Sequence, residues 1–116
     1  MNKEELLERT KKFAHRCVKL ALSLPKTTLV NHIAKQLIRC SISVAANYRA
    51  VCLAQSKASF TSKMSIVLEE ADESAFWLEF IIEEKLVMEN LISSLLEEAK
   101  ELTAIFFSSR KTASVK

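Results

Sequence analysis

Apolar residues recur at alternating steps of three and four along four segments of the chain, which is the spacing of one face of an amphipathic helix. The first segment is interrupted by Thr10 and ends before Pro25, because the residue preceding a proline is driven towards an extended conformation. Thr27 or Thr28 can cap the helix that follows. We predict helices over residues 3–24, 29–54, 58–83 and 86–107, and a frayed tail over residues 111–116.

The predicted core consists of the positions on the inward face of each helix. In chain order these are Leu6, Phe13, Cys17, Leu20, Leu24, Val30, Ile33, Leu37, Cys40 or Ser41, Val44, Tyr48, Val51, Phe60, Met64, Val67, Ala71, Leu78, Ile81 or Ile82, Met88, Leu91, Leu95, Ala99, Leu102 and Phe106. Small residues surround this stripe in the second helix and favour the close approach of a neighbouring helix. The start of the fourth helix is the least marked boundary, since no strong turn residue precedes it.

The composition favours helices over strands. The chain has 116 residues, no glycine and a single proline, whereas hairpins depend on both residue types for their turns. This length allows one domain with one core. Four helices joined by short connections favour antiparallel neighbours. We therefore predict an all-α domain over residues 1–110, folded as an antiparallel up-down-up-down four-helix bundle.

Three features bear on the compartment. No stretch of 18 residues is free of charge, and the first twelve residues are charged and lack the apolar centre of a signal peptide. The three cysteines form an odd set without a Cys-x-x-Cys pair, which is not typical of a disulfide framework. We expect a cytoplasmic protein that does not bind membranes.

Charge is segregated along the chain. No acidic residue occurs from Arg9 to Leu68, whereas residues 69–116 contain eleven acidic and five basic residues. Most charged faces are simply solvated, but those usually mix both signs, and a face of one sign attracts polyanions. The predicted phosphate contacts on the first two helices are Arg9, Lys12, Arg16, Lys19, Lys35, Arg39 and Arg49. An alternative for Arg39 and Arg49 is internal pairing with Glu70 or Glu73.

The third helix carries more apolar surface than one core requires. Ile66, Trp77 and Phe80 fall opposite the inward stripe, and Phe76 flanks them. These residues either form a subunit interface, where aromatic side chains are enriched, or include a tryptophan that plugs one end of the bundle. We favour the interface.

The sequence contains no recognisable catalytic or metal-binding motif. Neither His15 nor His32 follows a glutamate by three residues, as a di-metal bundle site requires, and the cysteines lie on or beside apolar stripes. The spacing of Arg9 and His15 resembles that of some helical ribonucleases, but a match of two residues in a lysine-rich helix is weak. A phosphate loop cannot form without glycine. We predict no enzymatic activity, no metal and no cofactor.

Two central segments resemble a known family. They are QLIRCSISVAANYRA at residues 36–50, and SKASF, KMSIVLEEADES and WLE at residues 56–60, 63–74 and 77–79. With the Phe13-x3-Cys17-Val18-x-Leu20-x3-Leu24-Pro25 ending of the first helix, they resemble the bacterial four-helix-bundle family whose founding members are encoded in intervening sequences of large-subunit ribosomal RNA genes. Cys40 stands where serine or alanine is commoner in that family.

The resemblance implies a ring-like homopentamer. One branch of the family, the accessory variability determinant proteins of diversity-generating retroelements, forms basic pentamers that bind nucleic acid and a reverse transcriptase. We therefore expect a non-enzymatic homopentamer that binds RNA or DNA through the basic faces of the first two helices, with a reverse transcriptase or another protein as a further partner. The alternative is an oligomeric protein–protein scaffold or accessory subunit with no direct role in nucleic-acid binding.

Overall fold

The computed structural model describes residues 1–115, which form an antiparallel up-down-up-down four-helix bundle measuring 46 × 21 × 21 Å. The helices are α1 (Lys3–Ser23), α2 (Thr28–Val51), α3 (Lys57–Glu83) and α4 (Ser93–Val115), with a 3-10 turn at Glu89–Leu91. Each helix packs against the next, and α1 closes the bundle against α4. Among the described helices, none is both long enough and apolar enough to cross a bilayer.

Polar side chains fix where the first three helices begin. The Oδ1 of Asn2 accepts the Glu5 backbone N–H at 2.8 Å, and the Thr27 hydroxyl accepts the N–H of Val30 at 3.2 Å. Ser56 caps α3 in the same way. Each cap satisfies one of the backbone donors left free in a first helical turn. Thr27, rather than Thr28, is therefore the cap of α2.

The predicted core is largely confirmed for the first three helices. Cys40 and Ser41 are both buried, and Ile81 rather than Ile82 faces the centre. Thr10 is also fully buried in the apolar series of α1, where its hydroxyl donates to the Leu6 carbonyl at 2.8 Å. That hydrogen bond satisfies the hydroxyl and makes the polar residue compatible with the core.

The connection between α3 and α4 differs from the prediction of a fourth helix over residues 86–107. Met88 and Leu91 are 70% and 69% exposed, so their assignment to the core is wrong, and the neighbouring Ile92 is fully buried instead. The α3 helix ends with Lys85 in the left-handed region, at φ 56°. The N–H of Leu86 then bonds the Ile81 carbonyl, which turns the chain away from the helical path.

The end of α4 also differs from the prediction. Residues 111–115 continue the helix, so the frayed tail predicted over 111–116 is wrong for them, and residue 116 lies outside the described residues. The buried Phe106 anchors this part of α4, and the Arg110 Nε donates to the hydroxyl of Ser65 on α3. These two contacts hold α4 against the bundle as far as Arg110.

Candidate nucleic-acid interface

The bundle has a basic side and an acidic side. Residues 3–51, which include α1 and α2, contain ten basic and three acidic residues, whereas residues 57–115 contain six basic and eleven acidic residues. Because α1 packs beside α2 and α3 beside α4, the segregation along the sequence becomes a separation across the bundle. A one-sided distribution of this kind produces a positive potential over the α1–α2 side.

Two lysines lie on the outer surface of α1, and the first of them, Lys12, lines a shallow surface region together with Glu5, Glu8 and Arg9. Lys12 and Lys19 are exposed, and neither has an ion-pair partner in the part of the chain that the structure describes. They point outward because Phe13 and Cys17 orient the opposite face of α1 towards the core. The two lysines are seven positions apart in the sequence, which places them two turns and about 10 Å apart along the helix.

Arg9 lies on a different side of α1 and faces α4. Its Nε and Nη2 bond the two carboxylate oxygens of Glu98 at 2.6 and 2.7 Å, and Nη2 also contacts Glu101 at 2.9 Å. The side chain is only 21% exposed. The hydrogen bond to Glu98 raises the pKa of Arg9, against an opposing effect of burial, with a further contribution from Glu101. The charge of Arg9 is therefore compensated within the bundle.

Arg16 also faces α4 but meets a neutral partner. Its Nη2 donates to the hydroxyl of Ser94 at 3.0 Å, and the side chain is partly buried. A hydroxyl carries no charge, so this contact orients the guanidinium without neutralising it. Arg16 thus adds to the positive potential beside Lys12 and Lys19.

Arg39 is paired with α3. Its guanidinium bonds Glu70 at 3.0 Å and also bonds Glu73, whose carboxylate accepts the Trp77 indole N–H at 3.0 Å. Burial raises the pKa of Glu73, but the bonds from Arg39 and Trp77 outweigh it and leave that pKa below its usual range. The alternative of internal pairing is thus what the structure shows for Arg39.

Lys35 and Arg49 are exposed on α2 and have no ion pair with any described residue. Internal pairing with Glu70 or Glu73 is therefore not what the structure shows for Arg49. Both residues line the surface between α1 and α2. Arg49 lies beside residues 7–18 of α1, and Lys35 lies beside residues 21 and 22. They extend the basic side from α1 onto α2.

The aromatic residues of α3 occupy two environments. Trp77 is partly buried and meets the ring of His32 on α2 edge-on, with the ring centroids 5.7 Å apart. Phe76 is 50% exposed and Ile66 is 44% exposed, whereas Phe80 is partly buried beside Phe76. Trp77 therefore helps to join α3 to α2 within one subunit, and Phe76 and Ile66 carry most of the outward apolar surface.

A groove between α1 and α2 was not anticipated from the sequence. It has a volume of about 650 Å³ and is lined mostly by apolar or small side chains, namely Leu7, Ala14, Val18, Ile42, Ala45 and Ala46. Lys11, His15 and Arg49 border it. The small residues of α2 are the signal in the sequence, but small side chains on a helix equally favour close packing against a neighbouring helix.

The positions of the cysteines and histidines bear on possible chemistry. Burial raises the pKa of Cys17 to about 12 and that of Cys40 to about 11, so both thiols are protonated at neutral pH. Arg9 bonds to α4 whereas His15 borders the α1–α2 groove, so these two side chains do not converge. Within residues 1–115, no cluster of three or more potential metal ligands is found.

The structure is similar to the crystal structure of a protein with unknown function from the S23 ribosomal protein family of Bacteroides thetaiotaomicron VPI-5482. The two chains are 30% identical with a TM-score of 0.80, and the match covers 96% of this chain and 99% of that chain. No match is found among curated proteins. The model of the 23S rRNA-intervening sequence protein family matches residues 2–108, which confirms the family resemblance. The chain belongs to the 23S rRNA-intervening sequence protein family.

Proposed function

We propose that this chain is a non-enzymatic, homo-oligomeric cytoplasmic protein that binds RNA or DNA through the phosphates, using the basic α1–α2 side. The observation that carries the proposal is the outer line of α1, where Lys12 and Lys19 are exposed and have no ion pair with a described residue. Unpaired lysines on a surface of one sign attract a polyanion and release its counterions when they bind.

The contacts differ in strength along this surface. Lys12 and Lys19 are the primary phosphate contacts, Arg16 adds a charge beside them, and Lys35 and Arg49 extend the basic side to α2. Arg9 and Arg39 are positioning residues for the helices, because glutamates already bind their guanidinium groups. Phosphate contacts carry no sequence information, so binding that depends on backbone charge is the expected mode.

Self-association strengthens such binding. Two lysines and one arginine per subunit form a weak site, but several copies presented on one assembly bind a long polyanion with avidity. The half-exposed Phe76 and Ile66 supply apolar surface for the contact between copies. A homopentamer is the assembly that the family resemblance implies.

The proposal is tested by two charge-reversed variants with the same change in net charge. We expect Lys12→Glu/Lys19→Glu to weaken the binding of a fluorescently labelled RNA by more than about tenfold at low salt, because two phosphate contacts become repulsive. Lys57→Glu/Lys100→Glu, which alters two exposed lysines outside α1 and α2, is expected to bind within about twofold of the unmodified protein.

Fluorescence anisotropy gives the dissociation constants, and circular dichroism shows that both variants are folded. Equal losses in the two variants would mean that net charge alone, rather than the α1 surface, determines binding. An unmodified protein that fails to bind RNA, single-stranded DNA or duplex DNA at low salt would contradict the proposal and favour the protein–protein scaffold.

A further inference from the structure

Two apolar surfaces of the subunit have no partner within it. The first is the α1–α2 groove, whose floor includes Ile42, 47% exposed, together with Ala45 and Ala46. The second is the outer face of α3, which presents Phe76 and Ile66. All the residues that line the groove belong to α1 and α2, and Phe76 and Ile66 remain about half exposed on α3, so the subunit does not cover its groove with its own α3 face.

The two surfaces have opposite charges. Lys11 and Arg49 border the groove, whereas Glu69, Asp72 and Glu83 accompany the apolar residues of α3. None of these five groups forms an ion pair within the described part of the chain. A contact between the surfaces would bring unpaired cations to unpaired carboxylates at its rim, where complementary charges set orientation and partner choice.

The two surfaces also differ in relief. The groove is lined by small side chains that include Ala14 and Ala45, and its volume is about 650 Å³. The α3 face projects Phe76, with Phe80 packed beside it at a centroid distance of 6.0 Å. A concave surface of small residues and a convex aromatic surface are suited to each other, as in interfaces where an aromatic side chain fills a pocket.

We infer that the α1–α2 groove binds the outer face of α3 from a second copy of this chain. The inference rests on the self-association in the proposed function and specifies its geometry. The contact joins two different surfaces, so it is heterologous and repeats from copy to copy, which closes a ring when the rotation permits. Lys12 and Lys19 do not line the groove and stay outside the contact, available to nucleic acid, whereas Arg49 borders the groove and is engaged at its rim once copies assemble.

The test uses one variant for each surface. Ile42→Glu places a carboxylate in the groove, where it would meet the acidic α3 face. Phe76→Lys places a cation on the α3 face, where it would meet the basic groove. Each substitution therefore introduces a charge that repels the surface of the second copy. Both residues are about half exposed, and circular dichroism with thermal unfolding verifies that the variants fold. Native mass spectrometry and light scattering give the mass of each variant alone and of an equimolar mixture.

The expected result is an oligomeric unmodified protein, two monomeric variants and a mixture that forms a heterodimer and nothing larger. The heterodimer arises because the intact groove of Phe76→Lys binds the intact α3 face of Ile42→Glu, and the two remaining surfaces are both blocked. The mixture is measured well above the concentration at which the unmodified protein assembles, because a single contact lacks the reinforcement of a closed ring.

Two results overturn the inference while leaving self-association intact. One is an Ile42→Glu variant with the mass of the unmodified oligomer, which would show that copies meet without the groove, for example by α3 against α3. The other is a mixture of monomeric variants that stays monomeric. A monomeric unmodified protein would instead remove the self-association on which the inference rests, and Lys12→Glu/Lys19→Glu, as a control, is expected to assemble normally.

Discussion

Residues of one charge have different roles in this bundle because their neighbours differ. Arg9 and Lys12 are three positions apart on α1, yet the first is held by Glu98 and Glu101 and the second is exposed and forms no ion pair with a described residue. Arg39 and Arg49 differ in the same way on α2, since only Arg39 lies opposite glutamates of α3. Exposure and pairing, rather than residue type, therefore separate the cations that position helices from those that can bind a ligand.

The Arg39–Glu73–Trp77 contact gives stability a specific dependence on pH. The lowered pKa of Glu73 means that the folded protein favours the carboxylate, so this contribution is complete above the ordinary pKa of glutamate, about 4.3, and is lost as the pH falls through the lowered value. We expect Glu73→Gln to reduce the free energy of unfolding by up to about 1 kcal/mol near pH 7, as for a partly exposed ion pair.

Urea unfolding of the unmodified protein and Glu73→Gln, each at a series of pH values from about 7 downwards, follows this difference through the transition. The difference should shrink at the lower pH, because the native carboxyl becomes protonated. Glu69→Gln is the matched control, since Glu69 is exposed on the same helix and has no ion pair with a described residue. A difference for Glu73→Gln that is independent of pH would contradict the assignment.

At the scale of elements, hydrophobic periodicity is sufficient to predict helices where the apolar series and the buried face coincide. The first three helices begin and end within a few residues of the predicted bounds because caps or Pro25 coincide with breaks in the series. The start of α4 could not be predicted in this way. Met88 and Leu91 continue the apolar spacing although the backbone there is not helical, and Ile92 is the residue that reaches the core.

The end of α3 explains why no turn signal was visible in the sequence. Lys85 adopts the left-handed conformation that glycine usually supplies at this position, and the Leu86 N–H closes the motif on Ile81. A side chain with a Cβ is strained in this region by roughly 1–2 kcal/mol. The chain contains no glycine, so the turn depends on its hydrogen bonds and on the packing of Leu86 against the core.

Relief of the backbone strain at Lys85 should stabilise the protein. We expect Lys85→Gly to raise the free energy of unfolding by about 1 kcal/mol, because glycine adopts the left-handed conformation without steric cost. Lys100→Gly, in an exposed position within α4, should lower it by about 1 kcal/mol, the usual penalty of glycine inside a helix. Chemical denaturation of the unmodified protein and the two variants measures the free energies of unfolding. A Lys85→Gly variant that is less stable than the unmodified protein would contradict the strain assigned to Lys85.

At the scale of the whole molecule, the bundle converts a charge pattern along the sequence into a charge pattern in space. The absence of acidic residues from Arg9 to Leu68 was sufficient to predict a basic α1–α2 side. It did not reveal that Arg9 is neutralised, because its partners Glu98 and Glu101 lie 89 and 92 positions away in the sequence, whereas pairing of Arg39 with Glu70 or Glu73 was a stated alternative. The α1–α2 groove was equally inaccessible, since an alanine in a helix does not indicate whether it faces a neighbouring helix or solvent.

We propose that unpaired lysines on the outer line of α1 bind phosphates, and the sharpest test is the dependence of RNA binding on salt concentration. The logarithm of the binding constant should fall linearly with the logarithm of salt concentration, and Lys12→Gln/Lys19→Gln should reduce the magnitude of the slope by about two, roughly one for each lost phosphate contact. A slope near zero for the unmodified protein, or the same slope in the variant, would mean that Lys12 and Lys19 do not bind phosphates.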